Sequence, residues 1–171
     1  MGLPVGAAEA VDAVDAVEVT TDDRPLLCYG NFLLRNHPCR PAIFESLRDR
    51  PFFTSDVFSD RQPMSMAEYY RQLMRSKFVL CPRGYAEQTF RFWECLYFGA
   101  VPIAVRADYH AQLGDDLPIL LLDSIRDYAS LTRPFLEEKY AELMSRPMDS
   151  NKLRLSYWLD RIDRDFSAAD A

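Results

Sequence analysis

From Leu26 to Phe166 the chain alternates between two hydrophobic patterns. Short, nearly unbroken apolar runs have the length of buried strands. Between them, apolar side chains return every three or four positions, the spacing of one helix face. The runs Leu26–Phe32, Phe52–Thr54, Phe78–Leu80, Val101–Val105 and Leu117–Leu122 predict strands. The last contains Pro118, which favours an edge because proline donates no ladder bond. Periodic segments over 41–48, 66–75, 90–98, 134–145 and 151–166 predict helices, and Asp123 or Ser124 caps a shorter one. Pro41 suits a first helical position and Ser65 an N-cap. Strands alternating with helices predict an α/β fold. It is a single Rossmann-like domain over 24–166, with an open, mostly parallel sheet of about five strands and helices on both faces. Residues 1–23, rich in Ala, Val and Asp, read as a mobile acidic leader, and 167–171 as a tail.

The segment from Lys77 to Val105 is the densest part of this pattern. Pro82 and Gly84 stop the strand, and a polar loop runs from Arg83 to Gln88. Thr89 stands where an N-cap hydroxyl accepts a first-turn amide, and Gly99 where a helix C-terminal glycine is expected. The unit is βαβ. Its loop leaves the carboxyl end of a strand and feeds a helix N-terminus, where free amides and the helix dipole attract an anion, usually phosphate. Arg83 and Arg91 stand just before and just inside that helix, and guanidinium groups grip phosphate oxygens in pairs. Glu94, one turn on, is placed to accept a ribose hydroxyl. Spacing alone leaves ordinary alternatives open: Arg83 as a solvated loop residue, and Arg91 with Glu94 as an i,i+3 surface pair. Arg35 and Arg40 flank the first strand-to-helix loop in the same way, as donor contacts or as surface charge. Gly30 and Asn31 end the first strand, where open parallel sheets take ligands.

The same segment resembles the carboxyl-terminal region of the exostosin glycosyltransferases. Their pattern, S-K-F-x-L-C-P-R-G-Y followed by S-x-R-x-x-E and G-x-x-P, is met by Ser76, Lys77, Phe78, Leu80, Cys81, Pro82, Arg83, Gly84, Tyr85, Thr89, Arg91, Glu94, Gly99 and Pro102. Thr89 replaces Ser with its hydroxyl kept. The chain departs at Ala86, often Gly in the family, and at Phe90, often Pro; the first change narrows the loop's backbone freedom and bears on donor preference. The resemblance implies the donor half of a two-Rossmann (GT-B) glycosyltransferase, binding a nucleotide sugar, with a UDP-sugar expected. It places Arg83, Gly84, Tyr85, Thr89, Arg91 and Glu94 at the substrate, with Arg83 and Glu94 in catalytic roles and the base unknown. It implies no cofactor and metal-independent chemistry, in which cationic side chains and amides stabilise the leaving diphosphate.

Composition narrows the alternatives. The chain has 171 residues, enough for one domain, with 49% hydrophobic and 13% aromatic residues. A net charge of −6 and the lack of a dominant basic cluster argue against broad nucleic-acid binding. Cys28, Cys39, Cys81 and Cys95 form no Cys-x-x-Cys pair and read as buried thiols rather than zinc ligands. Asp163-Arg-Asp165 reads as solvated charge, not a metal motif. His37 reads as a turn residue, while Asp108 and His110 follow a strand and are candidates for substrate contact. No run of eighteen apolar residues is present, so the chain as written reads as soluble. Cytosolic residence, or the Golgi behind an upstream anchor, both stay open.

The leading expectation is a glycosyltransferase donor domain that passes a sugar to a glycan or other hydroxyl acceptor with inversion. The short leader cannot supply an acceptor half. The alternatives are therefore a nucleotide-sugar-binding module without turnover, a domain that pairs with a second chain supplying the acceptor site, or a Rossmann-like unit that binds no nucleotide.

Overall fold

The computed structural model describes residues 24–60, 64–113 and 116–169; the leader therefore lies outside the described residues. Five strands form one sheet: β1 (Leu26–Gly30), β2 (Phe53–Ser55), β3 (Ser76–Leu80), β4 (Val101–Val105) and β5 (Leu120–Leu122). All pairings are parallel, in the order β2-β1-β3-β4-β5. Five α-helices connect or flank them: α1 (Cys39–Leu47), α2 (Met66–Arg75), α3 (Phe90–Tyr97), α4 (Arg133–Met144) and α5 (Leu155–Ala169). The protein is thus an α/β domain with an open, all-parallel sheet of Rossmann-like type. β5 lies at the edge, as Pro118 foretells, but starts later than the apolar run does.

Two cores follow from the strands' being apolar on both faces. Phe78, Leu80, Val101 and Ile103 point to the side covered by α1 and α4, through Ile43, Leu47, Leu136 and Leu143. Val79 and Ala104 point to the side of α2 and α3, against Tyr70, Leu73, Phe92 and Leu96. This two-sided burial fixes the register of the central strands and so the position of the loops at their carboxyl ends.

Local chemistry sets the helix ends. Ser65 and Glu68 form a capping box at α2: the Glu68 amide donates to Ser65 Oγ at 3.3 Å, and the Ser65 amide donates to Glu68 Oε2 at 2.8 Å. α2 and α3 finish against a single buried cation. The Arg24 guanidinium donates to the carbonyls of Leu73, Ser76 and Phe98 at 3.2, 2.9 and 2.8 Å, satisfying acceptors the helices leave open. Gly99 follows α3 in the left-handed region at φ 72°, and a Cβ there would sit 2.7 Å from Arg24 Nη2. Gly99→Ala is therefore expected to cost about 1–2 kcal/mol from backbone strain alone, read by urea unfolding.

The carboxyl-terminal helix departs from expectation. Asp149 first caps a 3-10 turn at Ser150–Leu153, accepting the Asn151 amide at 3.0 Å, and α5 begins only at Leu155. It runs on to Ala169, through part of the predicted tail. Its inward contact is Trp158, edge-on to Trp93 at 6.4 Å and donating to the Lys152 carbonyl at 2.9 Å. With Trp158 turned inward, Leu155, Leu159 and Ile162 of the same helix stand half in solvent. Among the described residues no helix is long and apolar enough to cross a membrane.

Candidate functional site

The sheet order has one reversal. The chain leaves β1 for β2 on one side, then returns to place β3 on β1's other side. Loops leaving β1 and β3 diverge there, and a crevice opens outside the strands' carboxyl ends. A cleft of ≈ 770 Å³ occupies this position. Leu33, Asn36 and Arg40 line it from the β1–α1 side, and residues from Gly84 to Glu94 line it from the β3–α3 side. α2 contributes Met66 and Tyr69.

Six of the residues singled out from the sequence therefore share one wall or another of this cleft: Arg40, Gly84, Tyr85, Thr89, Arg91 and Glu94. Thr89 holds the N-cap position of α3 but makes no capping bond, contrary to expectation. Its Oγ1 has no partner, and neither do Arg91 Nε and Trp93 Nε1. Each buried polar atom left unbonded carries a desolvation cost. Here three such atoms cluster on the first turn and a half of one helix. Trp93 is nine-tenths buried, and nothing in the sequence marks its indole N–H as lacking an acceptor.

Arg91 and Glu94 are not the surface pair that spacing allows. Glu94 is buried and accepts the Tyr69 hydroxyl at 2.8 Å, a partner supplied by α2 and missed from sequence. An amphipathic stripe hides such a partner, although a buried tyrosine always has a polar tip to satisfy. The Arg91 guanidinium lies 5.9 Å from the centre of the Tyr69 ring. Burial pushes the Glu94 carboxyl above its ordinary value, against the Tyr69 bond and the Arg91 charge, which lower it. A folded carboxyl held above its unfolded value contributes stability that is full below the usual 4.5 and lost as pH rises through the folded value. Glu94→Gln is thus expected to be more stable than wild type at neutral pH and level with it at about pH 4, as measured by urea unfolding at both.

Arg40 is the most constrained cation at the site. It is almost wholly buried; Nε donates to the Arg83 carbonyl at 2.9 Å, Nη1 to Leu33 at 2.9 Å and Nη2 to Pro82 at 3.1 Å. It ties the β1–α1 loop to the β3–α3 loop. Gly84 leaves room for it, since a Cβ there would come within 3.2 Å of Nη2. Burial, and then the nearby Arg91 charge, push the Arg40 guanidinium down to about 10. Two guanidinium groups thus face one cleft; burial works against the Arg91 charge, but Tyr69, the buried thiols and Glu94 outweigh it and hold Arg91 above its ordinary value.

The remaining candidates lie elsewhere. Arg83 is exposed, 3.4 Å from Glu87, and lines a smaller cavity of ≈ 130 Å³ outside β3 and β4 with Arg106. Arg35 is exposed and paired with Asp60 at 3.2 Å. Asn31 is wholly buried, its amide donating to the Tyr29 hydroxyl at 3.2 Å. His37 is a turn residue, its Nδ1 accepting the Cys39 amide at 3.2 Å. His110 is buried, with Nδ1 accepting the Ala107 amide at 2.9 Å, and desolvation lowers its pKa. The four cysteines are free and buried; Cys81 and Cys95 lie 3.7 Å apart beneath the loop.

Fold and cleft together define a doubly wound α/β domain with a cationic crevice at its switch point. Comparison with known proteins adds a direction. No protein-family model matches the chain. Over 79 residues, 46% of its length, the chain is 32% identical to a probable glucuronosyltransferase of Oryza sativa subsp. japonica. Over the same share it is 34% identical to probable glucuronosyltransferase 47 A of Physcomitrium patens and 33% to a probable beta-1,4-xylosyltransferase of Arabidopsis thaliana. The matches span 18%, 16% and 18% of those proteins' lengths.

Proposed function

We propose that the chain is a glycosyltransferase donor domain whose cleft holds a nucleotide sugar, with a UDP-sugar as the first candidate. The observation that carries this reading is Arg91. It is a cation at the N-terminal turn of α3, with an unbonded Nε, facing a second guanidinium across a cleft at the switch point. An anion placed there meets the helix dipole, the amides at the helix start other than that of Phe92, which donates to the Thr89 carbonyl, and the Arg91 charge together. The similarity to named glucuronosyl- and xylosyltransferases supports sugar transfer over other nucleotide chemistry.

In the reaction assigned here, an acceptor hydroxyl attacks the anomeric carbon from the face opposite the diphosphate. The bond from that carbon to the diphosphate oxygen breaks, its electron pair stays on the diphosphate, and the configuration inverts. Arg91, the α3 amides and the Thr89 hydroxyl meet the charge that builds on the leaving group, in place of a divalent metal. Glu94, oriented by Tyr69, accepts a ribose hydroxyl. Arg83 reaches the diphosphate only by leaving Glu87, and an exposed pair of that kind costs at most about 1 kcal/mol to break. Arg83→Ala is therefore expected to lower turnover by about tenfold or more while changing UDP affinity less than Arg91 substitutions do. The acceptor proton passes to a base outside the residues assigned here, on a partner domain or second chain that also brings the glycan. A binding module without turnover is the second reading, favoured by the position of Arg83, which is paired with Glu87 and stands outside the lining of the cleft.

Melting curves with UDP-, GDP- and free monosaccharides test the binding step. A nucleotide sugar at about 100 times its Kd should stabilise the protein by roughly 2.7 kcal/mol. No shift with any nucleotide at millimolar concentration would remove both readings. Stabilisation without release of free sugar, or of transferred sugar when the partner that brings base and glycan is present, would leave the binding module.

A further inference from the structure

Tyr85 and Phe90 are large aromatic side chains left 90% and 73% exposed, and both line the cleft. At that exposure the fold gains almost nothing from either ring. Phe90 is the first residue of α3 and Tyr85 lies in the loop before it, so both stand at the outer end of the helix. Glu94 lies about one turn further in. On the reading given above, on which this inference rests, the ribose is at Glu94 and the diphosphate at Thr89 and Arg91. A nucleotide sugar laid in that direction puts its base beyond the ribose, away from the helix N-terminus. Its sugar ring, and whatever attacks that ring, come out past the N-terminus, where Tyr85 and Phe90 project.

We infer that the Tyr85 and Phe90 rings form a platform for a pyranose ring of a carbohydrate acceptor. An equatorially linked pyranose has two flat faces of axial C–H groups rimmed by hydroxyls. An exposed aromatic face covers such a surface while the rim stays wet, and the Tyr85 hydroxyl adds a hydrogen-bonding tip. A nucleobase also stacks on aromatic rings, but the order along α3 sends it to the other end. Phe90 stands where the exostosin pattern often has proline, so half of the platform is a feature of this chain rather than of the pattern.

The test is titration calorimetry, backed by saturation-transfer NMR, of cellohexaose and xylohexaose against the full chain with saturating UDP. The Tyr85→Ala/Phe90→Ala double variant should weaken hexasaccharide binding about tenfold or more, and Phe90→Ala alone should weaken it severalfold while changing the UDP Kd by less than about twofold. Both side chains are exposed, so each variant's melting temperature should match wild type, and any loss is then a loss of contact. Hexasaccharide binding that is equal in wild type and the double variant, or absent from both, overturns the platform. So does a tenfold loss of UDP affinity with hexasaccharide binding intact, which assigns the rings to the base. If wild type binds no UDP, the nucleotide reading fails separately, and the same comparison without UDP decides the platform.

Discussion

Arg91→Met is expected to weaken UDP binding by about 100-fold while costing the unliganded protein at most about 1 kcal/mol. The two halves of this result have different causes. Two charge-assisted bonds to a diphosphate, at about 1.5–3 kcal/mol each before compensation, account for a loss near 2.7 kcal/mol. In the free protein the same guanidinium gains little. Its Nε has no partner, it is taken partly out of water, and its charge opposes that of Arg40. Against this stands a contact with the Tyr69 ring at 5.9 Å, worth roughly 0.5–1 kcal/mol. Methionine keeps most of the apolar stem and removes the repulsion, but it also takes from the buried Glu94 carboxyl the nearby charge that lowers its pKa, so the net change stays within about 1 kcal/mol. Calorimetry with UDP and urea unfolding read the two quantities separately. The wild-type Kd for UDP should also rise with ionic strength, and that of the variant less steeply. A variant that keeps its affinity within about threefold would move the anion away from the α3 terminus; one that also unfolds would make Arg91 a structural residue.

How much of this was legible in the sequence depends on how local the cause is. The βαβ unit around the Arg83 loop follows from Pro82, Gly84, Gly99 and the spacing of Phe92 and Leu96, all of which act within a few residues. The switch point is not local. It depends on β3 pairing with β1 rather than β2, and no property of either strand's own sequence states that choice. The same limit explains the residues that changed meaning. Thr89 has the right chemistry for a cap and the right position, yet its hydroxyl stays unbonded. Glu94 finds Tyr69, 25 positions away, instead of the arginine three positions before it. Trp158 draws α5 onto Trp93 and turns its leucines outward. Asn31 sits where a ligand-contacting residue is expected, but its amide is spent on Tyr29. In each case the type of residue was readable, and its partner was a tertiary fact.

Arg40 is the sharpest instance, and Arg40→Met is expected to cost about 3 kcal/mol of stability. Sequence places it beside a loop and suggests a ligand contact. In the structure its donors go to three backbone carbonyls, those of Leu33, Pro82 and Arg83. Removing the guanidinium leaves one buried and two half-buried acceptors unbonded, at about 1–3 kcal/mol for each that neither water nor a new donor reaches. Relief of the buried charge, and of its opposition to Arg91, returns part of that sum. Arg40→Lys should recover little, because an ammonium cannot span the three directions that the planar fork reaches. The stability loss should come with a functional one: the loop from Pro82 to Gly84 is tied to the β1–α1 loop through this side chain, so nucleotide affinity falls even at temperatures where the variant is folded. Urea unfolding gives the first number and calorimetry at low temperature the second. A variant within about 0.5 kcal/mol of wild type would mean that the two loops hold their positions without the strap, and the cleft would then owe its shape to the sheet alone.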